Sequence, residues 1–244
     1  MTRRSYDQAC PVATALDVVG ERWTLLIVRD LFFGPLRFTD LRDGLPGLAP
    51  NLLADRLRFL VDAGLIDRVD QPPPSHRTVY RLTSRGRELG PVVHELSRFG
   101  IHDWADPDAE PPPPRLVRGA LLSLLVPEHL DDAGWTARLE LGDARLGLRV
   151  APAGRTAGRP LDRLRVRDLA DAAGQPEAGA DGAGEPDLVV TSTLGTLLSV
   201  RRGERSPTAA RRAGSLRVRG PRPHQARLAG LLGWSARART GSAR

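Results

Sequence analysis

Residues 34–64, GPLRFTDLRDGLPGLAPNLLADRLRFLVDAG, decide the fold of the first part of this 244-residue chain. They begin with a predicted short helix, Phe38–Arg42, which is closed by Gly44 and a Leu-Pro-Gly turn. Pro50 then stands where the first residue of a second helix belongs, because the N–H that proline lacks has no helical partner there. This second helix is predicted to run from Pro50 to Ala63. Its predicted inward face consists of Leu53, Leu57, Leu60 and Val61.

The flanking sequence extends this helix-turn-helix on both sides. Helices are predicted over 11–19 and 22–33, strands over 65–69 and 78–82 with a loop at 70–77, and a final helix over 85–104 that Thr83 and Ser84 cap. Helix, helix, short helix, turn, helix, β-hairpin and helix is the order of a winged helix-turn-helix. In that fold the helix over 50–63 enters the major groove of DNA.

The outward face of this helix carries the side chains that would read DNA. A helical wheel places Ala54 and Arg56 at the edges of this face. Opposite the leucine stripe it places Asn51, Asp55, Arg58 and Asp62. Asparagine and arginine can recognise adenine and guanine edges with two hydrogen bonds each. The alternative is that Arg56 and Arg58 are ordinary solvated residues, paired with the neighbouring aspartates.

Five motifs in this region resemble the HxlR-type transcriptional regulators: CPV (10–12), ALDVVGERWTLLI (15–27), GPLRFTDL (34–41), LRFLVDAGLI (57–66) and RTVYRLT (77–83). The resemblance covers residues 8–104. It implies a winged-helix homodimer that binds operator DNA, with the first and last helices forming the dimer contact, and we expect a repressor. It places the family's wing arginine at Arg77, whereas Ala49 and Phe59 depart from the family pattern. The predicted DNA-binding residues are Arg37, Pro50, Asn51, Asp55, Arg56, Arg58, Ser75, His76 and Arg77.

Cys10 is the only cysteine of the sequence. The resemblance implies a redox-sensing thiol, because some members of the family carry a cysteine at this place and switch through disulfides between subunits. With one cysteine, only a bridge between two copies of Cys10 or a mixed disulfide is available. The other interpretation is a small, half-buried residue that packs at the start of the first helix.

A run of four prolines, Pro111–Pro114, predicts a stiff spacer after the winged helix. We expect a winged-helix domain at 8–105, a linker at 106–114, a second domain at 115–233 and a basic flexible tail at 234–244. The second domain predicts an α+β fold with a mainly antiparallel sheet, which includes a hairpin of 135–141 and 144–150. Residues 161–168 indicate either a strand or a short helix.

Motifs in the second domain, PDLVVT (186–191), RGE (202–204) and AGSLRVRG (213–220), resemble a sterol-carrier-protein-like domain. The resemblance implies a cavity for a small hydrophobic ligand. The candidate lining residues are Leu121, Leu125, Trp135, Leu139, Leu148, Val190, Leu194 and Leu198. The alternative is that these residues form a packed core without a cavity.

Composition and charge exclude several other classes of protein. All 36 basic residues are arginine and the net charge is +7, but residues 1–110 carry −2 and residues 111–244 carry +9, so bulk charge does not locate a polyanion site. No apolar run reaches the ~18–20 residues that span a bilayer, and no signal peptide is visible, so we expect a cytoplasmic protein.

Catalytic motifs are also missing from the sequence. It contains no phosphate-binding loop, metal-binding helix or nucleophile elbow, so no enzyme activity, cofactor or metal is expected. The five histidines are scattered: His76, His94, His102, His129 and His224. The alternative function is a lipid-binding or lipid-transfer protein whose winged helix serves only dimerisation or protein contact.

Overall fold

A computed structural model describes residues 5–71, 77–104, 108, 114–154, 159–169 and 185–234. The chain divides into two compact units, Met1–Val93 and His94–Arg244. In the described parts of both units, no helix is long and apolar enough to cross a bilayer.

The first unit has the element order that the sequence predicts. Its helices and strands are α1 (Pro11–Val19), α2 (Thr24–Phe32), α3 (Phe38–Gly44), α4 (Pro50–Asp62), β1 (Ile66–Asp70), β2 (Thr78–Leu82) and α5 (Ser84–Arg87), and α6 (Gly90–Gly100) continues into the second unit. Strands β1 and β2 pair antiparallel, with Arg68 opposite Tyr80. The largest side chains of the core are Phe32, Phe33, Ile27, Leu31, Leu41, Leu45, Leu53, Leu57, Leu60 and Ile66.

Two local predictions for this unit are wrong. The predicted final helix over 85–104 is two helices, α5 and α6, because Pro91 has no N–H to donate to the carbonyl of Arg87 and therefore sits in the first turn of a new helix. Thr83 caps α5 as predicted, since its Oγ1 accepts from the Gly86 amide at 3.0 Å. Val61 was expected to face inward but is 37% exposed.

The second unit is α+β, as predicted. After the end of α6 it contains α7 (Pro114–Leu124), a 3₁₀ turn (Pro127–His129), β3 (Trp135–Leu141), β4 (Ala144–Val150), a second 3₁₀ turn (Pro160–Arg163), β5 (Leu164–Asp168), β6 (Leu188–Ser192), α8 (Leu194–Arg202), α9 (Pro207–Arg212), β7 (Leu216–Arg219) and α10 (Arg222–Leu231). The sheet order is β5-β4-β3-β6-β7, in which only β3 and β6 run parallel. The segment 161–168 contains both alternatives, a short 3₁₀ turn and then a strand.

Alternate residues of the central strands form the core of this unit. On β3, Trp135, Ala137, Leu139 and Leu141 are buried, and the residues between them are half-buried. Strand β6 is fixed beside β3 by Asp187, whose carboxylate accepts from the Thr136 amide at 2.7 Å and from Thr136 Oγ1 at 3.0 Å. Burial raises the pKa of Asp187, but these hydrogen bonds and the nearby His224 outweigh it, so the pKa lies below its ordinary value.

Helix α8 holds the chain that follows α6 at two points. The Arg202 guanidinium donates to the carbonyl oxygens of Ile101, at 2.6 Å, and of Trp104. At the opposite end of α8, the Asp108 carboxylate accepts from Thr193 Oγ1 at 2.5 Å and from the Gly195 amide at 2.9 Å. Arg202 therefore satisfies carbonyls beyond the last turn of α6, and Asp108 satisfies an amide in the first turn of α8.

Candidate nucleic-acid interface

Helix α4 has one buried and one exposed face, which is the geometry that a recognition helix needs. Leu53, Leu57 and Leu60 are at most 1% exposed and anchor the helix to the core of the first unit. On the opposite face, Asn51 and Arg58 are exposed to solvent. The Arg58 guanidinium lies 2.9 Å from the carboxylate of Asp55, with 69% of its side chain exposed. This outward position of Asn51 and Arg58 agrees with the prediction from the sequence.

The position of Arg56 differs from the prediction. Its side chain is 9% exposed, and Nη2 donates to Glu21 Oε2 at 2.8 Å. Arg56 follows Leu53 by three residues and precedes Leu60 by four, so it shares the inner face of α4 with the leucines. Glu21, which precedes α2, supplies the opposite charge. The geometry therefore directs Arg56 away from the exposed face, at whose edge the helical wheel placed it.

The turn before α3 is attached to the hairpin. Leu36 and Tyr80 exchange two backbone hydrogen bonds, of 3.0 and 2.7 Å, so this turn adds a short third strand beside β2. Arg37 comes directly after this bridge, and its amide donates to Asp40 Oδ2 at 2.9 Å, which caps α3. The Arg37 side chain is 30% exposed.

Two further predicted contacts can be located, and two cannot. Pro50 is exposed at the first position of α4. Arg77 is half-buried at the base of the hairpin, where its carbonyl accepts from the Gln71 amide at 2.8 Å. Ser75 and His76 lie outside the described residues. Ala49 precedes α4 and makes no side-chain cap, because its methyl group has no atom that accepts a hydrogen bond.

The sequence of this region is similar to that of known proteins. A family model for the HxlR-like helix-turn-helix matches residues 18–109. An uncharacterized HTH-type transcriptional regulator of Mycobacterium tuberculosis is 46% identical over 100 residues, which are 41% of this chain and 63% of that protein. A Synechocystis protein of the same description is 37% identical over 41% of this chain and 73% of that protein. YvaP of Bacillus subtilis is 35% identical over 41% of this chain and 93% of that protein.

The chain belongs to the HxlR-like helix-turn-helix family. It spans 63% of the length of the mycobacterial relatives that it matches. The matched residues of the family model include all of α2 to α6.

Two helices, α1 and α6, expose large apolar side chains. On α1, Val12 is 66% and Leu16 is 40% exposed. On α6, the exposed fractions are 51% for Val92, 51% for Leu96 and 77% for Phe99. The three residues of α6 follow one another at spacings of four and three, so they share one face of the helix. Neither Val92 nor Phe99 was predicted from the sequence as a functional residue, although their helical spacing was visible.

Cys10 occupies the position directly before α1 and is half-buried. Its carbonyl accepts from the amide of Thr14 at 3.0 Å and from Thr14 Oγ1 at 3.1 Å. The backbone of Cys10 thus starts the helix, while its thiol makes no side-chain cap. Both interpretations of this residue, the redox-sensing thiol and the packing residue, remain predictions.

The eight candidate ligand-binding residues of the second unit are all buried. Their exposed fractions run from 0% for Val190 to 5% for Leu139. Within the sheet, Leu139 lies beside both Leu146 and Val190, and Leu148 lies beside Ala137. The Nε1 atom of Trp135 is buried and has no hydrogen-bond partner among the described residues. A buried indole N–H without an acceptor is a polar group that a bound molecule could satisfy.

One cluster of side chains was not predicted from the sequence, in which the histidines are scattered. His94 is 3% exposed, and its side chain lies with those of Glu95 and Glu128 in a group of potential metal ligands. Glu128 is 34 residues away from His94 along the chain, so no local spacing pattern connects them.

Proposed function

We propose that this protein is a homodimeric, sequence-specific transcriptional regulator that acts as a repressor in the cytoplasm. The observation that carries the proposal is the exposed face of α4, where Asn51 and Arg58 stand opposite a fully buried leucine stripe. Membership of the HxlR-like family, whose matched relatives are named as HTH-type transcriptional regulators, supports the same conclusion.

The proposed mechanism separates base reading from phosphate binding. With α4 in the major groove, the Asn51 amide can pair with the N6 and N7 edge of adenine, and the Arg58 guanidinium with O6 and N7 of guanine. Asp55 holds the Arg58 guanidinium from one side at 2.9 Å, which restricts the orientations that it samples. The DNA phosphates would be contacted by Arg37, Arg77 and the first turn of α4 at Pro50, which would fix the position of the protein along the DNA. Ser75 and His76 would reach the DNA backbone from the tip of the hairpin.

The exposed apolar faces of α1 and α6 support a homodimer. Five large apolar side chains on these two helices are 40–77% exposed, which is costly for a monomer in water. A two-fold dimer would present two copies of α4 to a palindromic operator, with half-sites spaced by about one helical turn or a multiple of it, ~34–36 Å.

Residues 115–233 of the second unit are proposed as a hydrophobic-ligand domain of the sterol-carrier-like type, which follows a proposed linker at 106–114. The buried, unpartnered Nε1 of Trp135 favours a ligand that is apolar and carries one hydrogen-bond acceptor. A ligand that binds one dimer geometry more tightly than another would shift DNA affinity by that difference in binding free energy. The same observation supports the second candidate function, a lipid-binding protein whose winged helix serves only assembly.

The deciding experiment is fluorescence anisotropy of the full-length protein with its own upstream intergenic DNA, against scrambled DNA, across a salt series. An operator-reading regulator binds its own DNA more tightly, and log K falls linearly with log salt concentration. Asn51→Ala should reduce the ratio of specific to non-specific affinity. Arg77→Ala should weaken binding to every sequence and lower the salt slope by about 1.

Arg205→Ala is the matched control for Arg77→Ala, since it removes the same charge from an exposed site in the second unit. Equal, sequence-independent losses from Asn51→Ala and Arg77→Ala would contradict the division of roles. If the wild-type protein binds its own and scrambled DNA equally, and instead carries a co-purified hydrophobic molecule, the lipid-binding function replaces the regulator.

A further inference from the structure

Three potential metal ligands converge where α6 meets the 3₁₀ turn Pro127–His129. One imidazole nitrogen of His94 and one carboxylate oxygen from each of Glu95 and Glu128 lie within 4.8 Å of one another. His94 is 3% exposed, whereas both glutamates are exposed. The cluster therefore has a rigid, buried member and two members that an ion can reach from solvent.

The hydrogen bonding of His94 directs one lone pair into this cluster. Its Nε2 atom lies 2.9 Å from the carbonyl oxygen of Leu125. A carbonyl can only accept, so Nε2 carries the proton and donates, and in the neutral ring Nδ1 carries the lone pair. A histidine whose second ring nitrogen donates to a backbone carbonyl is the arrangement that protein metal sites use to orient an imidazole ligand.

The distance between His94 and Glu95 is too long for a hydrogen bond and close to the separation of two ligands of one metal ion. His94 Nδ1 and Glu95 Oε1 are 3.6 Å apart, which exceeds the 2.7–3.2 Å of an N–H···O hydrogen bond. Two ligand atoms at ~2.1 Å from a tetrahedral ion are ~3.4 Å apart, close to the distance seen here.

The charges of the cluster also favour a bound cation. Among the described residues, Glu128 has no hydrogen-bond or ion-pair partner. Glu95 contacts Arg98 at 3.2 Å, in a pair whose side chains are 64% and 45% exposed. An exposed pair of this kind contributes little to stability and is easily replaced. Two carboxylates and an imidazole lone pair thus face one another with one exposed arginine as compensation.

We propose that His94, Glu95 and Glu128 bind a divalent transition-metal ion of the Zn²⁺ or Mn²⁺ class. One imidazole nitrogen and two carboxylate oxygens form a nitrogen and oxygen donor set that suits these ions. The ion links α6 to the 3₁₀ turn that follows α7, so occupancy stabilises the second unit. The proposal does not depend on DNA binding.

The test is Zn²⁺ binding to tag-free, full-length protein from which metals have been stripped with a chelator, followed by isothermal titration calorimetry and by thermal melting. We expect one Zn²⁺ per chain and a melting temperature that rises with free Zn²⁺, because the ion binds only the folded chain. Glu128→Gln should weaken binding by about tenfold or more, since removing a direct ligand costs at least as much as removing a supporting residue.

Glu204→Gln is the matched control, because it makes the same chemical change at an exposed glutamate outside the cluster. Glu204→Gln and Cys10→Ser should both bind Zn²⁺ as the wild type does. His94→Gln tests the buried ligand and is interpreted only if its circular dichroism spectrum matches the wild type. The absence of saturable Zn²⁺ binding would overturn the proposal, and so would unchanged binding in Glu128→Gln or loss of binding in Cys10→Ser.

Discussion

Arg56 and Arg58 stand two residues apart on α4, and replacing each by alanine should give opposite results. Arg58 is exposed and is proposed to contact DNA, whereas Arg56 is buried and paired with Glu21. We expect Arg58→Ala to lower the affinity for operator DNA with little change in stability. Arg56→Ala should lower the free energy of unfolding while the folded protein binds DNA as before.

The extent to which each side chain is buried determines how much stability or DNA affinity its replacement should cost. Arg56→Ala keeps the Cβ atom and removes two buried methylene groups, worth ~0.8 kcal/mol each, together with an ion pair to the half-exposed Glu21 worth ~0.5 kcal/mol, so we expect a loss of about 2 kcal/mol. Arg58 is 69% exposed, and its pair with Asp55 contributes less than ~0.5 kcal/mol. Its loss from a guanine contact would cost ~1–3 kcal/mol of binding free energy, or about 5–150-fold in affinity.

Urea unfolding measures the first quantity, at one fixed protein concentration because the stability of a dimer depends on concentration. Anisotropy at one fixed salt concentration measures the second. Glu21→Gln is the control for Arg56→Ala, since it removes the charge and keeps an acceptor, and it should cost less than about 1 kcal/mol. The reasoning is refuted if Arg56→Ala unfolds like the wild type and loses as much DNA affinity as Arg58→Ala.

Three further predictions concern assembly, packing and pH. Phe99→Ser should raise the dissociation constant of the dimer on the order of 100-fold, because each copy loses ~1.5 kcal/mol of apolar burial. Analytical sedimentation measures this constant, and an unchanged value would place the interface elsewhere. Gly86→Ala should lower the free energy of unfolding by ~1–3 kcal/mol, because the added Cβ would overlap the carbonyl of Leu65. Gly100→Ala should raise the free energy of unfolding by up to ~1 kcal/mol, because its added Cβ meets no atom within 4 Å. Thermal melts in which both variants shift the melting temperature in the same direction would contradict this prediction. Asp187→Asn should lower the melting temperature at neutral pH. The difference from wild type should shrink as pH falls below 3.8 through the lowered pKa of this carboxyl, and a difference that does not depend on pH would exclude a role for its charge.

Local sequence patterns were sufficient to predict most of the helices and strands and part of the exposed face of α4. The leucine spacing of α4 and the two proline and glycine breaks around it depend only on neighbours three and four residues away. The hairpin of Trp135–Leu141 and Ala144–Val150 likewise follows from alternation around a Gly-Asp turn, and its bounds were predicted correctly. Asn51 and Arg58 could therefore be placed on the exposed face from the sequence.

Contacts between distant residues could not be predicted in this way. The pairing of Arg56 with Glu21, 35 residues earlier, is such a contact, because a helical wheel places Arg56 beside the leucines but does not show which residue supplies the opposite charge. The grouping of His94 with Glu128 depends on how the turn after α7 packs against α6. The break between α5 and α6 is a different case, since Pro91 was visible in the sequence and its missing N–H was not taken into account.

The boundary between the two compact units falls between Val93 and His94, in the middle of α6. A fragment that stops there keeps one turn of the helix. A fragment that stops after Trp104 loses Arg202 and leaves the carbonyls of Ile101 and Trp104, beyond the end of the helix, without their donor. The shared helix therefore makes the two halves poor building blocks for separate expression or for chimeric regulators. An exchange of DNA-binding regions between relatives would have to carry α6 and the Arg202 contact together, or replace both.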